Sequence, residues 1–318
     1  MDLYVAIFKF DEVIKEQFME INRRFVEKYE KIDDSNEFYE YMAKPIRQSF
    51  RVNTLKVEVK DVVERLSEEF ELENVPWCKE GFFVYGEGIT KTPEFVLGLI
   101  FMQEASSMIP PVVMDLEENL FVLDMAAAPG AKTTQISQYM RNTGCIIAND
   151  VKYSRLNILI SNIQKYGCLN VVVTEKDGRF FGRFRDTFDR ILLDAPCSNV
   201  GMIRKNYKYL KIWRQREVEA LSRLQKSLIL SAYKALKPGG VLVYSTCTLD
   251  PEENEEVVDY LLQNTDAKLE NIDLPLNSTE PILEFGGKRY SEEVKKCLRI
   301  HPQDNDTEGF FVAKVVKP

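Results

Sequence analysis

The sequence predicts an α/β chain built on a doubly wound, mainly parallel sheet and preceded by a small α+β unit. Three observations carry that expectation. After Glu117, apolar strand-like runs alternate with segments of helical period, the rhythm of βαβ units. Aspartates close the early runs, at Asp124, Asp150, Asp177 and Asp194, and ligand-binding groups collect at the carboxyl ends of parallel strands. Two cysteines, Cys197 and Cys247, follow apolar runs at 188–193 and 241–244, so they can share one cleft although they lie far apart in the chain.

Taken in order, Val13, Ile14, Phe18, Ile21, Phe25 and Tyr29 recur every three to four residues, which predicts an amphipathic helix over 10–29. A strand is expected at 50–59, a helix at 62–70, a short strand at 82–85 and a helix opening at Thr92-Pro93-Glu94, where proline suits the first turn. These make an N-terminal unit, residues 1–117. The larger unit, residues 118–318, should hold strands at 120–125, 145–149, 171–174, 188–193 and 240–245. Helices fall between them at 134–141, 155–166 and 218–236, the last closed by Lys237-Pro238-Gly239-Gly240. A helix at 252–262 and a late strand at 309–316 complete the reading, and 264–297 carries no clear period.

Composition narrows the function. A 45% hydrophobic and 29% charged chain of 318 residues is ordinary for a soluble globular protein. The first residues lack a basic segment followed by a long apolar one, and the most apolar stretch, 95–102, is far too short to span a bilayer, so the expected location is cytoplasmic. Six scattered cysteines show no C-x-x-C pairing, and the single histidine, His301, is the only imidazole, so neither a structural metal nor a disulfide framework is expected. A net charge of −8 argues against a wholly basic nucleic-acid-coating protein. Yet Arg204, Lys205, Lys208, Lys211, Arg214 and Arg216 run without an intervening acid and interleave with Tyr207, Tyr209 and Trp213. Cations bind phosphates and aromatic faces stack on bases, so this run is a candidate RNA contact, with a solvated helix bearing an apolar stripe as the alternative.

The first strand of the sheet leads into Asp124-Met125-Ala126-Ala127-Ala128-Pro129-Gly130-Ala131-Lys132-Thr133, whose small residues let backbone approach a ligand. A dinucleotide would call for G-x-G-x-x-G, which is absent. A P-loop would require glycine where Ala126 and Ala131 stand, although Lys132-Thr133 mimics its end. S-adenosyl-L-methionine fits better: it has an adenosine for carboxylates to read, no pyrophosphate, and a sulfonium that acidic surroundings tolerate. A carboxylate after the second strand, Asp150, suits the ribose hydroxyls, and one after the third, Asp177, suits the adenine amino group.

With these pieces together the chain resembles the Sun-type family of RNA 5-methylcytosine methyltransferases. The family pattern D-x-C-A-A-P-G-G-K-T matches 124–133, with Ala126 replacing Cys and Ala131 replacing Gly. Further matches are Phe50-Arg51-Val52-Asn53-Thr54, Gln103-Glu104-Ala105-Ser106-Ser107, Asn149-Asp150-Val151, Asp194-Ala195-Pro196-Cys197-Ser198, Ser245-Thr246-Cys247-Thr248 and Gly309-Phe310-Phe311. The resemblance implies a Rossmann-like S-adenosylmethionine-dependent methyltransferase domain, a cofactor loop from Ala126 through Ala127, Ala128, Pro129, Gly130 and Ala131 to Lys132, and cofactor contacts from Asp150, Asp177 and Asp194. The small N-terminal α+β unit is then expected to bind RNA.

It also implies covalent chemistry. C5 of cytosine is a poor nucleophile, so a thiolate of lowered pKa must first add at C6. Residue chemistry alone leaves open which cysteine attacks; the resemblance assigns attack to Cys247, release to Cys197, and hydrogen bonding at the base edge to Asp194. Lys132 is expected to orient acidic groups in the pocket. The target base must be reached outside a stack, with Arg47, Arg51 and Lys56 as further candidate RNA contacts and Phe310 or Phe311 beside the base, although at least one of the two is expected at a buried strand position. The compact build resembles archaeal transfer-RNA members, which makes tRNA the expected substrate and a monomer the expected state. Ribosomal RNA is the alternative; a non-catalytic RNA-binding module or an exocyclic-amine methyltransferase would need neither thiol.

Overall fold

The structure is a computed structural model and describes residues 22–318. The expected first helix lies outside the described residues as far as 21. Its remainder is the helix Arg23–Tyr29, capped by Asn22, whose side chain accepts from the Arg24 N–H at 3.1 Å.

Strands β1 (Gln48–Val52), β2 (Glu71–Asn74), β3 (Gly81–Tyr85) and β4 (Ile100–Met102) form an antiparallel sheet in the order β2-β3-β1-β4. Phe50, Val52, Phe82, Val84 and Ile100 bury one face against Val62 and Leu66 of the helix Val59–Leu66. The strand expected over 50–59 therefore ends at Val52, because Val59 belongs to that helix. The helix announced by Thr92-Pro93 is a single turn, Pro93–Val96, with the Thr92 hydroxyl accepting from Phe95 N–H at 3.3 Å. Its apolar continuation pairs as β4 instead: tertiary pairing overrides a weak local preference.

The second sheet holds β5 (Phe121–Asp124), β6 (Cys145–Asn149), β7 (Val171–Thr174), β8 (Phe188–Asp194), β9 (Leu236–Thr246), β10 (Lys268–Glu270) and, beyond a two-residue-strand hairpin of β11 (Glu284–Phe285) and β12 (Lys288–Arg289), β13 (Leu298–Ile300) and β14 (Phe310–Val316). Its order is β10-β14-β9-β8-β5-β6-β7, with β13 also on β14. Strands β5 to β9 are mutually parallel and β14 runs antiparallel to β9. From β5 the chain builds outward to β6 and β7 on one side, then crosses to β8 and β9 on the other. This reversal opens a crevice at the carboxyl ends of β5 and β8, where an open α/β sheet binds its ligand.

Alternation along these strands sorts the core. Leu123, Ile191, Leu193, Leu242 and Tyr244 face Leu228, Ile229 and Ala232 of the helix Gln215–Ala235 and Val257, Val258 and Leu261 of the helix Glu255–Asn264. Val122, Leu192, Val241 and Val243 face the opposite way, onto Ile136 and Met140 and onto Trp77, Cys78 and Phe83 of the N-terminal unit. That shared apolar cluster ties the small antiparallel sheet to this face of the large one. The region 264–297, without a sequence period, supplies the edge strand β10, the hairpin turning at Gly286-Gly287 and a 3-10 turn Glu292–Lys296.

Candidate active site

At the end of β5, Asp124 is buried and accepts from the Thr133 hydroxyl at 2.6 Å through Oδ2, while its Oδ1 is buried without a hydrogen-bond partner. Burial pushes this carboxyl up to about 7. The following loop is braced from below: Ala127 N–H donates to the Asn149 carbonyl at 2.7 Å, Asn162 Nδ2 to the Pro129 carbonyl at 2.8 Å, and the Arg155 guanidinium to the Ala128 carbonyl. Gly130 sits at φ 109, in the left-handed region, and a β-carbon there would lie 2.9 Å from Leu159 Cδ1. Lys132 and Thr133 then open the helix Ala131–Tyr139.

After β6, Asp150 Oδ1 accepts from Lys152 N–H at 2.9 Å and Oδ2 lies 3.1 Å from Arg155. Asp177 stands three residues beyond β7, exposed, and caps the 3-10 turn Gly178–Arg183; Arg179 grips both its oxygens, at 2.9 and 2.6 Å, and holds the carboxyl below its ordinary range. Asn149, unremarked in the sequence beyond its place in a motif, knits the strand ends together. Its Nδ2 donates to Met125 O and Lys176 O, and its Oδ1 accepts from Thr174 and Lys176 N–H. A small-residue loop that backbone can line, two carboxylates at successive strand ends and an orphan buried carboxylate oxygen together fit a nucleoside cofactor.

The other half of the crevice gathers side chains from distant segments. Asp194, closing β8, accepts from Lys132 Nζ at 2.7 Å and from Ser245 Oγ at 2.7 Å. Burial disfavours the Lys132 ammonium, but the adjoining Asp194 outweighs it and the lysine pKa is raised. Cys197 and Cys247 lie Sγ to Sγ at 3.0 Å, both free thiols, well beyond the about 2.05 Å of a disulfide. Asn199, at φ 60, offers its Oδ1 to Cys247 Sγ at 3.2 Å.

Backbone contacts lock this arrangement. Gly201 N–H donates to the Cys247 carbonyl at 3.0 Å and Gly309 N–H to the Gly201 carbonyl at 3.1 Å. A β-carbon on Gly201 would fall 1.9 Å from the Gly309 oxygen, so glycine is what permits the approach. Beneath the Cys197 loop, Ser198 N–H donates to Glu253 at 3.1 Å, Ser198 Oγ lies 3.1 Å from Asp250, and Gln225 Nε2 bonds Pro196 O and Glu253 at 2.8 and 2.7 Å. Burial and the neighbouring Asp250 push the Glu253 carboxyl up to about 8.

The thiol itself departs from expectation. Covalent chemistry calls for a low thiol pKa, yet that of Cys247 is raised well above its ordinary value by the hydrogen bond with Cys197, by burial and by the charges of Asp194 and Glu308. The free site holds the nucleophile candidate protonated.

Several residues expected to contact RNA prove to be buried or engaged within the chain. Arg204 is buried, bonded to the carbonyls of Lys44, Pro45 and Thr307 and to Asp306 at 2.6 Å. Trp213 is buried against Phe25. Arg51, wholly buried, donates to Gln103, Gln138 and Thr134. Lys56 caps the carbonyls of Leu97 and Lys165, and Arg47 is engaged by Glu73 and Asp306. Phe310 and Phe311 are both core residues. Of the basic run, Lys205, Lys208, Lys211, Arg214 and Arg216 stay exposed. Among the described residues, no group of three or more metal-ligating side chains converges, and no helix is long and apolar enough to cross a membrane.

Comparison with known proteins follows the same two units. Residues 111–316 match the 16S rRNA methyltransferase RsmB/F family and residues 21–105 the N-terminal domain of 16S rRNA methyltransferase RsmF. A tRNA (cytosine(49)-C(5))-methyltransferase of Pyrococcus abyssi is 60% identical over 307 residues, covering 96% of this chain and 99% of that protein. Ribosomal RNA small subunit methyltransferase F of Shewanella loihica is 41% identical over 89% of this chain, which spans 59% of that longer protein. A solved methyltransferase homolog from Pyrococcus horikoshii superposes with a TM-score of 0.85 at 39% identity, over 97% of this chain and all of that one. NSun6 of Pyrococcus horikoshii, solved with SFG, superposes with a TM-score of 0.78 at 26% identity, over 91% of this chain and 96% of that one.

Proposed function

The chain belongs to the RsmB/F family of RNA methyltransferases, and from that premise we propose that it methylates C5 of cytosine in tRNA by way of a covalent Cys247–C6 adduct. The enzyme class is S-adenosylmethionine-dependent RNA methyltransferase. The observation that carries the finer reading is the thiol pair at 3.0 Å beside the Lys132–Asp194 ion pair. Transfer RNA is preferred over ribosomal RNA because the likeness to the tRNA enzyme runs end to end, whereas the ribosomal enzyme carries a long portion that this chain does not match.

In this reading S-adenosylmethionine, when bound, supplies an electrophilic methyl group on its sulfonium. Asp150 and Asp177 take the ribose and adenine, and the loop Ala126–Lys132 lines the remainder of the cofactor. Asp194, held by Lys132 and Ser245, accepts from the exocyclic amino group of the cytosine and fixes C6 against Cys247. One proton leaves the thiol pair to water, and Cys247 Sγ bonds to C6, raising electron density at C5. Once C5 is methylated, its proton passes to water, the electron pair of that C–H bond restores the C5–C6 double bond, the C6–S bond breaks and the sulfur leaves as thiolate. Cys197, touching that sulfur, assists the release. The unit 1–117 and the exposed cations Lys208, Lys211, Arg214 and Arg216 hold the RNA, the enzyme acting as a cytoplasmic monomer.

The test is methyl transfer from labelled S-adenosylmethionine to unmodified tRNA, with nucleoside mass spectrometry and denaturing gels. Cys247→Ala should give no 5-methylcytidine and no RNA adduct, and Cys197→Ala should accumulate an adduct it cannot resolve. The opposite assignment of the two phenotypes would exchange the roles, and label on ribosomal RNA alone would move the substrate.

A further inference from the structure

A second lysine–carboxylate pair stands at the thiol cleft, and neither member has a part in the chemistry above. Lys205 Nζ lies 2.7 Å from Glu308 Oε1; the lysine side chain is 41% exposed and the glutamate side chain 4%. Both are placed by the glycine contacts that build the site. Lys205 follows the turn Val200–Met202, whose Gly201 is bonded to the Cys247 carbonyl, and Glu308 immediately precedes Gly309, which is bonded to Gly201. Glu308 N–H also donates to Glu104 at 3.2 Å, which fixes its backbone against the N-terminal unit.

We propose that Lys205 is the group that stabilises the Cys247 thiolate at the moment of attack, and that Glu308 is a positioning residue that holds the Lys205 ammonium over the cleft. The inference rests on Cys247 as nucleophile. Lys132, the other cation whose field reaches this sulfur, is nearly buried against Asp194, whereas the Lys205 side chain is 41% exposed. The fields agree with the geometry: the Cys247 thiol acts on both lysines, and Glu308 acts on the thiol. The other titratable groups facing this point are Asp194, Cys197, Tyr209 and Glu104. Burial and Glu104 push the Glu308 carboxyl up to about 7, so its grip on Lys205 is itself adjustable near neutrality.

The sign of the effect is set by charge. Removing Lys205 leaves Glu308 facing the sulfur uncompensated, so the thiol should ionise later; removing Glu308 as well should reverse this. The experiment titrates the thiolate absorbance of the full-length protein against pH, each variant measured against its own Cys247→Ala counterpart. Lys205→Ala should raise the ionisation midpoint by about one pH unit, as expected for loss of a neighbouring cation. Lys205→Arg should keep the original midpoint, and Lys205→Ala with Glu308→Gln should bring it back down. An unmoved midpoint in Lys205→Ala overturns the proposal, and if that variant shows only a raised KM for RNA, Lys205 is a phosphate contact instead. Adduct formation with 5-fluorocytosine-containing RNA, run in parallel, separates the premise: an adduct mapped to Cys197 removes Cys247 as nucleophile whatever the titration shows.

Discussion

The two halves of the crevice are built on different principles. On the cofactor half each carboxylate is settled by a close neighbour in sequence: Asp124 by Thr133, Asp150 by Lys152 N–H, Asp177 by Arg179. On the thiol half every important contact crosses the chain: Lys132 to Asp194, Cys197 to Cys247, Ser198 to Glu253, Lys205 to Glu308. The first half is a property of strand ends and their loops, and needs only that β5, β6 and β7 lie side by side. The second exists only when β8, β9 and β14 are in register and the loop after β8 is pressed onto the other two. A small error there moves a reacting atom, whereas an equal error in the cofactor half weakens one hydrogen bond.

Gly201→Ala tests that contrast most severely. A methyl group aimed at the Gly309 oxygen from 1.9 Å must push apart the segments carrying Cys197, Cys247 and Glu308. A displacement of about 1 Å at a reacting centre costs on the order of a hundredfold in rate. The variant should therefore lose about that much methyl transfer while binding S-adenosylmethionine with nearly the wild-type dissociation constant. Equal losses in both would show that the halves are one cooperative unit and break the distinction.

Asp150→Ala probes the other side. Hydrogen bonds to a charged group contribute about 1.5–3 kcal/mol, so the cofactor KM should rise about 10- to 100-fold. Because the thiol half is held by other contacts, kcat at saturating cofactor should stay within a few-fold of wild type. A collapse of kcat with unchanged KM would place Asp150 in a structural role, through its ion pair with Arg155.

The same contrast explains what could be read in the amino-acid sequence. The small-residue loop and the strand-end aspartates are contiguous patterns, and the structure puts them where alternation of strands and helices predicts. The cysteine pair was legible because both follow apolar strand runs. Glu253, Asp250 and Glu308 carry no local signature, being ordinary charged residues until the fold buries them around the thiols, and Lys205 is set beside them only by its pair with Glu308. The basic run misled for a related reason. Its composition is that of a nucleic-acid contact, but Arg204 and Trp213 spend their polar groups on backbone carbonyls and on Asp250, interactions that no spacing reveals. Edge strands β10 and β13 are three residues each and pair only because β14 offers an open edge.

The smallest expected effect is thermodynamic and concerns what holds the Cys197 loop. Asp124, Glu253 and Glu308 have folded-state values of about 7, about 8 and about 7, all above their values in an unfolded chain near 4. Between those limits the native state binds more protons than the unfolded one, so stability falls as pH rises through the window. His301, whose pKa is lowered by burial, works the other way, but only below its ordinary value near 6.5. From about pH 6.5 to 8 the carboxyls act without that opposition, and Glu253 by itself should cost about 1–2 kcal/mol over that interval. Glu253→Gln keeps an acceptor for Ser198 N–H and Gln225 and has no proton to lose, so its urea midpoint should fall less steeply with pH than that of the wild type. Parallel slopes for the two proteins would mean that Glu253 is already ionised at pH 6.5, and that the floor of the thiol half is carried by the Lys28–Asp250 ion pair, at 2.6 Å, rather than by a neutral glutamic acid.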